Sequence, residues 1–225
     1  PLVLTSIMLL SPMSAMAAVQ DAVLAGGCFW CRGHDLEDVE GVISAESGYG
    51  GGHVENPTYQ QVSGEKSGHQ EVVRVRFDSD KISYANLLQY YWRNIDPLDG
   101  QGQFCDRGDS YRPVIFTAGE QQATTAQASV AFAASELGVS KSKIKVQIRD
   151  AVQFWPAEDY HQNYANNNEL RYRYYRFSCG RDRRLDAVWG ERARSGASWV
   201  VAPLAPCRLP QNRSISVIRS LVPFW

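Results

Sequence analysis

The sequence predicts an α+β fold, a two-layer sandwich with helices packed on a mixed or antiparallel sheet. Two observations predict it: candidate strands alternate apolar and polar residues, as in a sheet with one wet face, and candidate helices are interleaved between them. Val19 to Ala25 runs into Gly26-Gly27, and Val42 to Tyr49 runs into Gly50-Gly51-Gly52; both are expected strands closed by glycine turns. Val73, Val75 and Phe77 alternate with Arg74 and Arg76, again a one-faced strand. Ser83 is placed to cap a helix whose Tyr84, Leu87, Leu88, Tyr91 and Trp92 form one apolar stripe. Arg112 to Phe116 reads as a short buried strand, and Glu120 to Leu137 as an alanine-rich helix stopped by Gly138. Ile144, Val146 and Ile148 alternate with Lys143, Lys145 and Gln147, which predicts a last half-exposed strand.

With 225 residues, 44 % hydrophobic and 21 % charged, the chain is long and apolar enough for a core and is not disordered throughout. Its 23 Lys and Arg balance 24 Asp and Glu, so no general attraction to nucleic acid is expected. Residues 1–18 combine an apolar run with Pro12 and the small residues Ala15-Met16-Ala17, resembling a signal peptide and its cleavage site. That run is too short to span a bilayer as a helix, and no stable membrane association is expected. Export, most simply to a bacterial periplasm, is the expected location, with the cytoplasm as the alternative. Residues 191–225 carry five arginines against Glu191 alone, and from Ser195 onward the chain is proline-rich and aperiodic. They read as a tail outside the fold, leaving residues 19–190 as the domain.

Chemistry concentrates at Gly26-Gly27-Cys28-Phe29-Trp30-Cys31. Two glycines after a strand allow a sharp turn, so Cys28 is expected to open a helix running toward Glu37. A thiol there faces unpaired N–H groups and the positive end of the helix dipole, which lowers its pKa and makes it a nucleophile. Phe29 and Trp30 would wall an apolar cup. On composition alone, such a cysteine–aromatic cluster is more often core packing. The C-x-x-C spacing is also a thiol-redox pair or half of a zinc site, but no second C-x-x-C exists and His34, His53, His69 and His161 are dispersed, so no metal is expected. Glu71, at the start of a strand and near Tyr59, is positioned to be a desolvated acid that stays protonated near neutral pH. Asp106 and Tyr111 share a loop on which a carboxylate and a phenol could hold a polar oxygen.

Seven segments occur in order: Gly27-Cys28-Phe29-Trp30-Cys31, Ser47-Gly48-Tyr49, Asn56-Pro57-Thr58-Tyr59, Gly68-His69-Gln70-Glu71, Trp92-Arg93-Asn94-Ile95-Asp96-Pro97, Asp106-Arg107-Gly108-Asp109-Ser110-Tyr111-Arg112 and Ala157-Glu158-Asp159-Tyr160-His161-Gln162. Together, from about Ala22 to about Gly190, they resemble the peptide-methionine (S)-S-oxide reductases, the A-type methionine sulfoxide reductases. The resemblance implies a ferredoxin-like sandwich and an enzyme without cofactor. It implies Cys28 as nucleophile on the sulfoxide sulfur and Phe29 and Trp30 as the methyl-binding walls. Glu71 would be the acid that protonates the sulfoxide oxygen, Tyr59 and Tyr111 its hydrogen-bonding phenols, and Asp106 part of the supporting network. Substrates would be oxidised proteins or peptides, and the protein a monomer.

The product on Cys28 would be a sulfenic acid, resolved by a second thiol and recycled by a thioredoxin-like donor. Arg176-Phe177-Ser178-Cys179-Gly180-Arg181-Asp182 resembles the recycling segment of one branch of the family, so Cys179 is expected to resolve, ahead of Cys31, with Cys105 packed in its loop. One departure stands out. Arg32-Gly33 replaces the usual Val-Glu, and a helical glycine costs roughly 1 kcal/mol against alanine, so a looser helix is expected. A thioredoxin-like disulfide exchanger built on Cys28 and Cys31, and a non-catalytic binder of methionine-rich partners, are the alternative readings.

Overall fold

A computed structural model of the chain describes residues 19–199. The elements run β1 (Val19–Ala25), α1 (Phe29–Glu37), β2 (Val42–Gly50), α2 (Tyr59–Ser63), β3 (Gln70–Asp78) and α3 (Tyr84–Trp92). A small hairpin, β4 (Gly102–Gln103) and β5 (Asp106–Arg107), precedes β6 (Val114–Thr117), α4 (Gly119–Glu136), β7 (Gln147–Asp150) and β8 (Trp155–Pro156). Three helices follow, α5 (Tyr164–Asn167), α6 (Glu169–Ser178) and α7 (Arg181–Trp189). The main sheet has the order β7-β6-β1-β3-β2-β8 and is antiparallel except for the β6–β7 pair. The expected α+β class is therefore what the chain adopts. Among the described residues, no helix is long and apolar enough to cross a membrane.

The period-two pattern of β3 decides how the layers form. Val73, Val75 and Phe77 are fully buried in the main core, where Leu36 of α1 and Leu87, Leu88, Tyr91 and Trp92 of α3 meet them. Burying each such side chain contributes roughly 1.5–3 kcal/mol. Arg76, on the opposite face, is exposed, and the Arg74 guanidinium lies 4.3 Å from the centre of the Phe154 ring. That second face is covered by a smaller cluster of Ala25, Val72, Val114, Phe116 and Phe154. Ser83 caps α3 as expected, accepting the Asn86 N–H at 3.1 Å.

Two expectations shift. The strand placed around Ile144–Ile148 pairs only from Gln147 onward, because Lys141–Lys143 turns as a 3-10 helix and Ile144 and Val146 pack into the core before pairing begins. The tail also starts later than its composition suggests. Arg93, whose side chain is fully buried, ion-pairs with Glu136 at 2.9 Å and donates to the carbonyls of Ser195, Ala197 and Ser198. Trp199 stacks on Phe132 and on the Arg93 guanidinium. Residues 191–199 are thus held to the fold by a buried cation whose donors need carbonyl partners. Residues 1–18, the leader-like segment, and 200–225, the rest of the tail with Cys207, lie outside the described residues.

The Arg32-Gly33 departure is accommodated differently than a loosened helix. Arg32 is buried, donates to the Gly26 carbonyl at 2.6 Å and lies over the Tyr91 ring, tying α1 back to the turn that precedes it. A Cβ added to Gly33 would meet no atom within 4 Å, whereas one added to Gly48 would strike the Phe154 ring at 2.4 Å and the Trp155 carbonyl at 2.5 Å. Gly33→Ala is expected to raise stability by up to about 1 kcal/mol, and Gly48→Ala to lower it; urea unfolding of both variants checks the opposite signs.

Candidate active site

β1 ends, β3 begins and β2 ends at the same edge of the sheet, because β1 and β2 both run antiparallel to β3. Ala25 pairs with Val72 and Tyr49 with Glu71, which gathers the Gly26-Gly27-Cys28 turn, the Glu71 carboxyl and the Tyr49 phenol. Gly27 takes φ +80°, open to glycine at little cost, and its N–H donates to the Tyr111 carbonyl at 3.0 Å. A Cβ there would come within 2.7 Å of Gln103. The turn therefore fixes both Cys28 and the loop carrying Tyr111.

Cys28 is the N-cap of α1, as expected, but its sulfur makes no capping hydrogen bond. Two N–H groups at the helix head go to carboxylates instead. Phe29 N–H donates to Glu71 Oε2 at 3.0 Å, and Cys28 N–H donates to Asp106. The consequence reverses the expected ionisation. Cys28, 6 % exposed, has its thiol pushed well above the usual value, first by burial, then by its hydrogen bond and charge interaction with Cys31 and by the charges of Glu71 and Asp106. Cys31 is the thiol drawn down, chiefly because Cys28 donates a hydrogen bond to it, with Arg181 and Arg176 helping against burial. The C-x-x-C turn brings the two thiols together.

Glu71 behaves as its position in the sequence suggested. It is 3 % exposed, and burial raises its pKa to about 8, opposed by the Phe29 N–H and reinforced by Asp106. Asp106 is also raised by burial, against the hydrogen bonds it accepts from Tyr175 and Cys28. The Tyr59 and Tyr111 phenols are hydrogen-bonded to each other; burial pushes Tyr59 up to about 12 and Tyr111 higher, so both remain donors. Glu71 and Cys28 interact electrostatically with both phenols. Cys28, Glu71, Tyr59, Tyr111 and Asp106 thus converge.

Several positioning residues escaped the sequence reading. Glu158 accepts the Tyr59 N–H at 2.9 Å and the Tyr49 hydroxyl at 2.7 Å, fixing the head of α2. Trp30 donates from Nε1 to His161 Nδ1 at 3.0 Å and stacks on Tyr164 at 3.7 Å between ring centroids, while Phe29 lies 4.9 Å from the His161 ring. The aromatic walls are thereby locked. The signal available was the segment 157–162, which the resemblance quoted without giving these residues a role.

For Cys105 the sequence reading needs correcting. It forms a disulfide with Cys179, so Cys105 is not merely packed in its loop and Cys179 is not a free thiol beside Cys28. Cys28 and Cys31 are free and buried. Cys105, Asp106 and Cys179 bring their ligand atoms within 4.8 Å of one another, but the two sulfurs are engaged by their mutual bond. Asp35 of α1 explains how the Cys179 segment is held. It accepts from Arg176 at 2.7 Å and Arg181 at 2.6 Å, on either side of Cys179, and these cations hold its carboxyl below the usual range despite burial.

The peptide methionine sulfoxide reductase family model matches residues 20–193. A peptide methionine sulfoxide reductase of Caulobacter vibrioides is 50 % identical over 180 residues, which cover 80 % of this chain and 90 % of that protein. One of Rhizobium meliloti is 48 % identical over 195 residues, covering 87 % and 96 %. The structure of methionine sulfoxide reductase A of Corynebacterium diphtheriae superposes with a TM-score of 0.62 at 29 % identity, covering 69 % of this chain and 78 % of that one. On these matches the chain belongs to the peptide methionine sulfoxide reductase family and is an oxidoreductase that returns oxidised methionine to methionine.

Proposed function

We propose that Cys28 attacks the sulfur of methionine-S-sulfoxide in oxidised proteins or peptides while Glu71 delivers a proton to the oxygen. The observation that carries this is a carboxyl group kept largely neutral at pH 7, hooked to Phe29 N–H one residue from the thiol. Sulfoxide oxygen leaves only when its negative charge is neutralised as the S–O bond weakens. The Tyr59 and Tyr111 phenols donate to the same oxygen, Asp106 holds the turn through Cys28 N–H, and the Phe29–Trp30 cup takes the substrate methyl group. Preference for the S epimer is supported by the family resemblance.

Because Cys28 is a thiol in the resting site, its proton must leave as it attacks. The hydrogen bond to Cys31 supplies the route. Cys28 becomes Cys–S–OH, the sulfide is released, and Cys31, now protonated, condenses with the sulfenic acid to give a Cys28–Cys31 disulfide and water. Glu71 regains its proton from solvent. In this reading Cys31 replaces Cys179 as the resolving thiol. A thioredoxin-like dithiol protein closes the cycle. The leader-like composition of residues 1–18 supports an exported, periplasmic setting, checked by N-terminal sequencing of the protein from that fraction.

Glu71→Gln should lower sulfoxide reduction by roughly 10²–10⁴-fold, leaving thiol–disulfide exchange intact. A variant that reduces methionine sulfoxide as fast as the parent would remove Glu71 from the proposal. The folded pKa of Glu71 lies above its unfolded value, so its stabilising contribution is full below about pH 4.5 and is lost as pH rises through about 8. The parent's stability should therefore fall more steeply than that of Glu71→Gln between pH 5 and 8, as urea midpoints will show. Mass mapping after a single turnover of Cys105→Ser/Cys179→Ser should find Cys28 bridged to Cys31; a persistent sulfenic acid on Cys28 would exclude Cys31.

A further inference from the structure

The bond between Cys105 and Cys179 closes beside a third donor. Cys105 Sγ, Cys179 Sγ and a carboxylate oxygen of Asp106 all lie within 4.8 Å of one another, and Cys105 Sγ is 3.8 Å from Asp106 Oδ1. Around tetrahedral zinc, with Zn–S of about 2.3 Å and Zn–O of about 2.0–2.2 Å, neighbouring ligand atoms stand roughly 3.5–3.8 Å apart. The thiol–carboxylate edge is thus already at that spacing. With the two Cα atoms 5.0 Å apart, the sulfurs reach the remaining edge by side-chain rotation once the bond between them is reduced. We propose that the reduced protein binds one thiophilic divalent cation, Zn²⁺ foremost, through Cys105, Asp106 and Cys179, and that this ion and the disulfide exclude each other. The site is independent of the Cys28 reading above.

The donors stay together without the disulfide. Asp106 accepts the Tyr175 hydroxyl from α6, and Asp35 holds Arg176 and Arg181 on either side of Cys179. Their orientation is also fixed. The Tyr175 hydroxyl occupies Asp106 Oδ2 and leaves Oδ1 toward Cys105, as a supporting hydrogen bond orients a ligating carboxylate. Cys105 N–H donates to Cys179 Sγ at 3.1 Å, which favours negative charge on that sulfur. An ion has a way in, because Cys105 is exposed and a groove of about 420 Å³ lined by Phe104, Cys179, Gly180 and Arg184 opens at the pair. That groove leaves the fourth position to water. Thiolate donors select zinc over magnesium or calcium. Two thiolates and a carboxylate exceed the charge of the ion by one, and Arg181, whose charge acts on Asp106, offsets the excess. No spacing motif announces the site, since its donors come from the β4–β5 hairpin and the end of α6.

The chemistry balances. A trialkylphosphine and water reduce the disulfide to two thiols, and the phosphine leaves as its oxide. Zn²⁺ then displaces the two thiol protons to solvent as two Zn–S bonds form, with no electron moved. Hydrogen peroxide reverses the state: it takes two electrons from the thiolates and two protons from solvent and leaves as two waters. The disulfide re-forms and the ion is freed.

Cobalt(II) reports the site directly. The full chain, reduced with the phosphine and freed of it under argon, should take up one Co²⁺ per chain with thiolate-to-cobalt charge-transfer bands and the intense d–d bands of four-coordinate cobalt. Zn²⁺ should displace it, peroxide should release it, and the oxidised parent should show no band. Cys28→Ser/Cys31→Ser should keep the spectrum and Cys105→Ser/Cys179→Ser should lose it. Asp106→Asn should bind at least roughly tenfold more weakly, the loss that removing a ligand's supporting partner alone brings. No band in the reduced parent, a band that survives Cys105→Ser/Cys179→Ser or vanishes in Cys28→Ser/Cys31→Ser, or an unchanged affinity in Asp106→Asn would overturn the site. Should a variant fail to fold, alkylation of the reduced parent decides: Zn²⁺ should shield Cys105 and Cys179 from iodoacetamide, and unchanged labelling of that pair would count against it equally.

Discussion

A helix that begins at a sheet edge exposes N–H groups with no partner of their own, and here those of Cys28 and Phe29 are satisfied by two carboxyl groups, Asp106 and Glu71. Nearly everything in the site follows from that pairing. The sulfur at the head of α1 makes no capping hydrogen bond, and burial first, then Cys31 and the charges of these two carboxyls, keep it protonated. Because Glu71 accepts only one such bond in a buried setting, it keeps its proton near neutrality. Acid and nucleophile both rest in their neutral forms, which suits a pocket that excludes water.

The positive charge absent from the helix head is found on the other side of Cys31. Arg176 and Arg181 converge on Asp35, and Arg181 also reaches the Asn94 carbonyl at 2.6 Å. Removing one partner of such a buried pair costs about 3–5 kcal/mol, because a charge is left without solvent or counter-charge. That cost fixes α6 and α7 against α1. It also biases the thiol pair, since the cations favour charge on Cys31 over Cys28. A local ion network thereby serves both the position of the Cys179 segment and the direction of proton movement.

Much of the fold was legible because periodicity reports burial directly. Val73, Val75 and Phe77 fell on the buried face and Arg76 on the wet one, and the α3 stripe packed as its spacing required. The converging residues Cys28, Glu71, Tyr59, Tyr111 and Asp106 were legible from motif and resemblance. The ionisation of Cys28 was not, because the rule for a thiol at a helix head assumes free N–H groups, and which group takes them depends on strand pairing more than 40 residues away. Nor was the partner of Cys179: a 74-residue separation carries no geometric information until the hairpin of β4 and β5 and the end of α6 are brought together. The anchored stretch around Trp199 was hidden for a similar reason, since its partner Arg93 lies at the end of α3.

The central claim is that Glu71 is a carboxylic acid, not a carboxylate, when substrate arrives. Infrared difference spectra of the parent minus Glu71→Gln across pH 5 to 9 measure it directly, since the two forms absorb at separate carbonyl frequencies. The buried-acid site predicts a protonated carboxyl band that persists at pH 7 and disappears with a midpoint near 8. A carboxylate band already complete at about pH 6, where an unperturbed glutamate would be ionised, would contradict it.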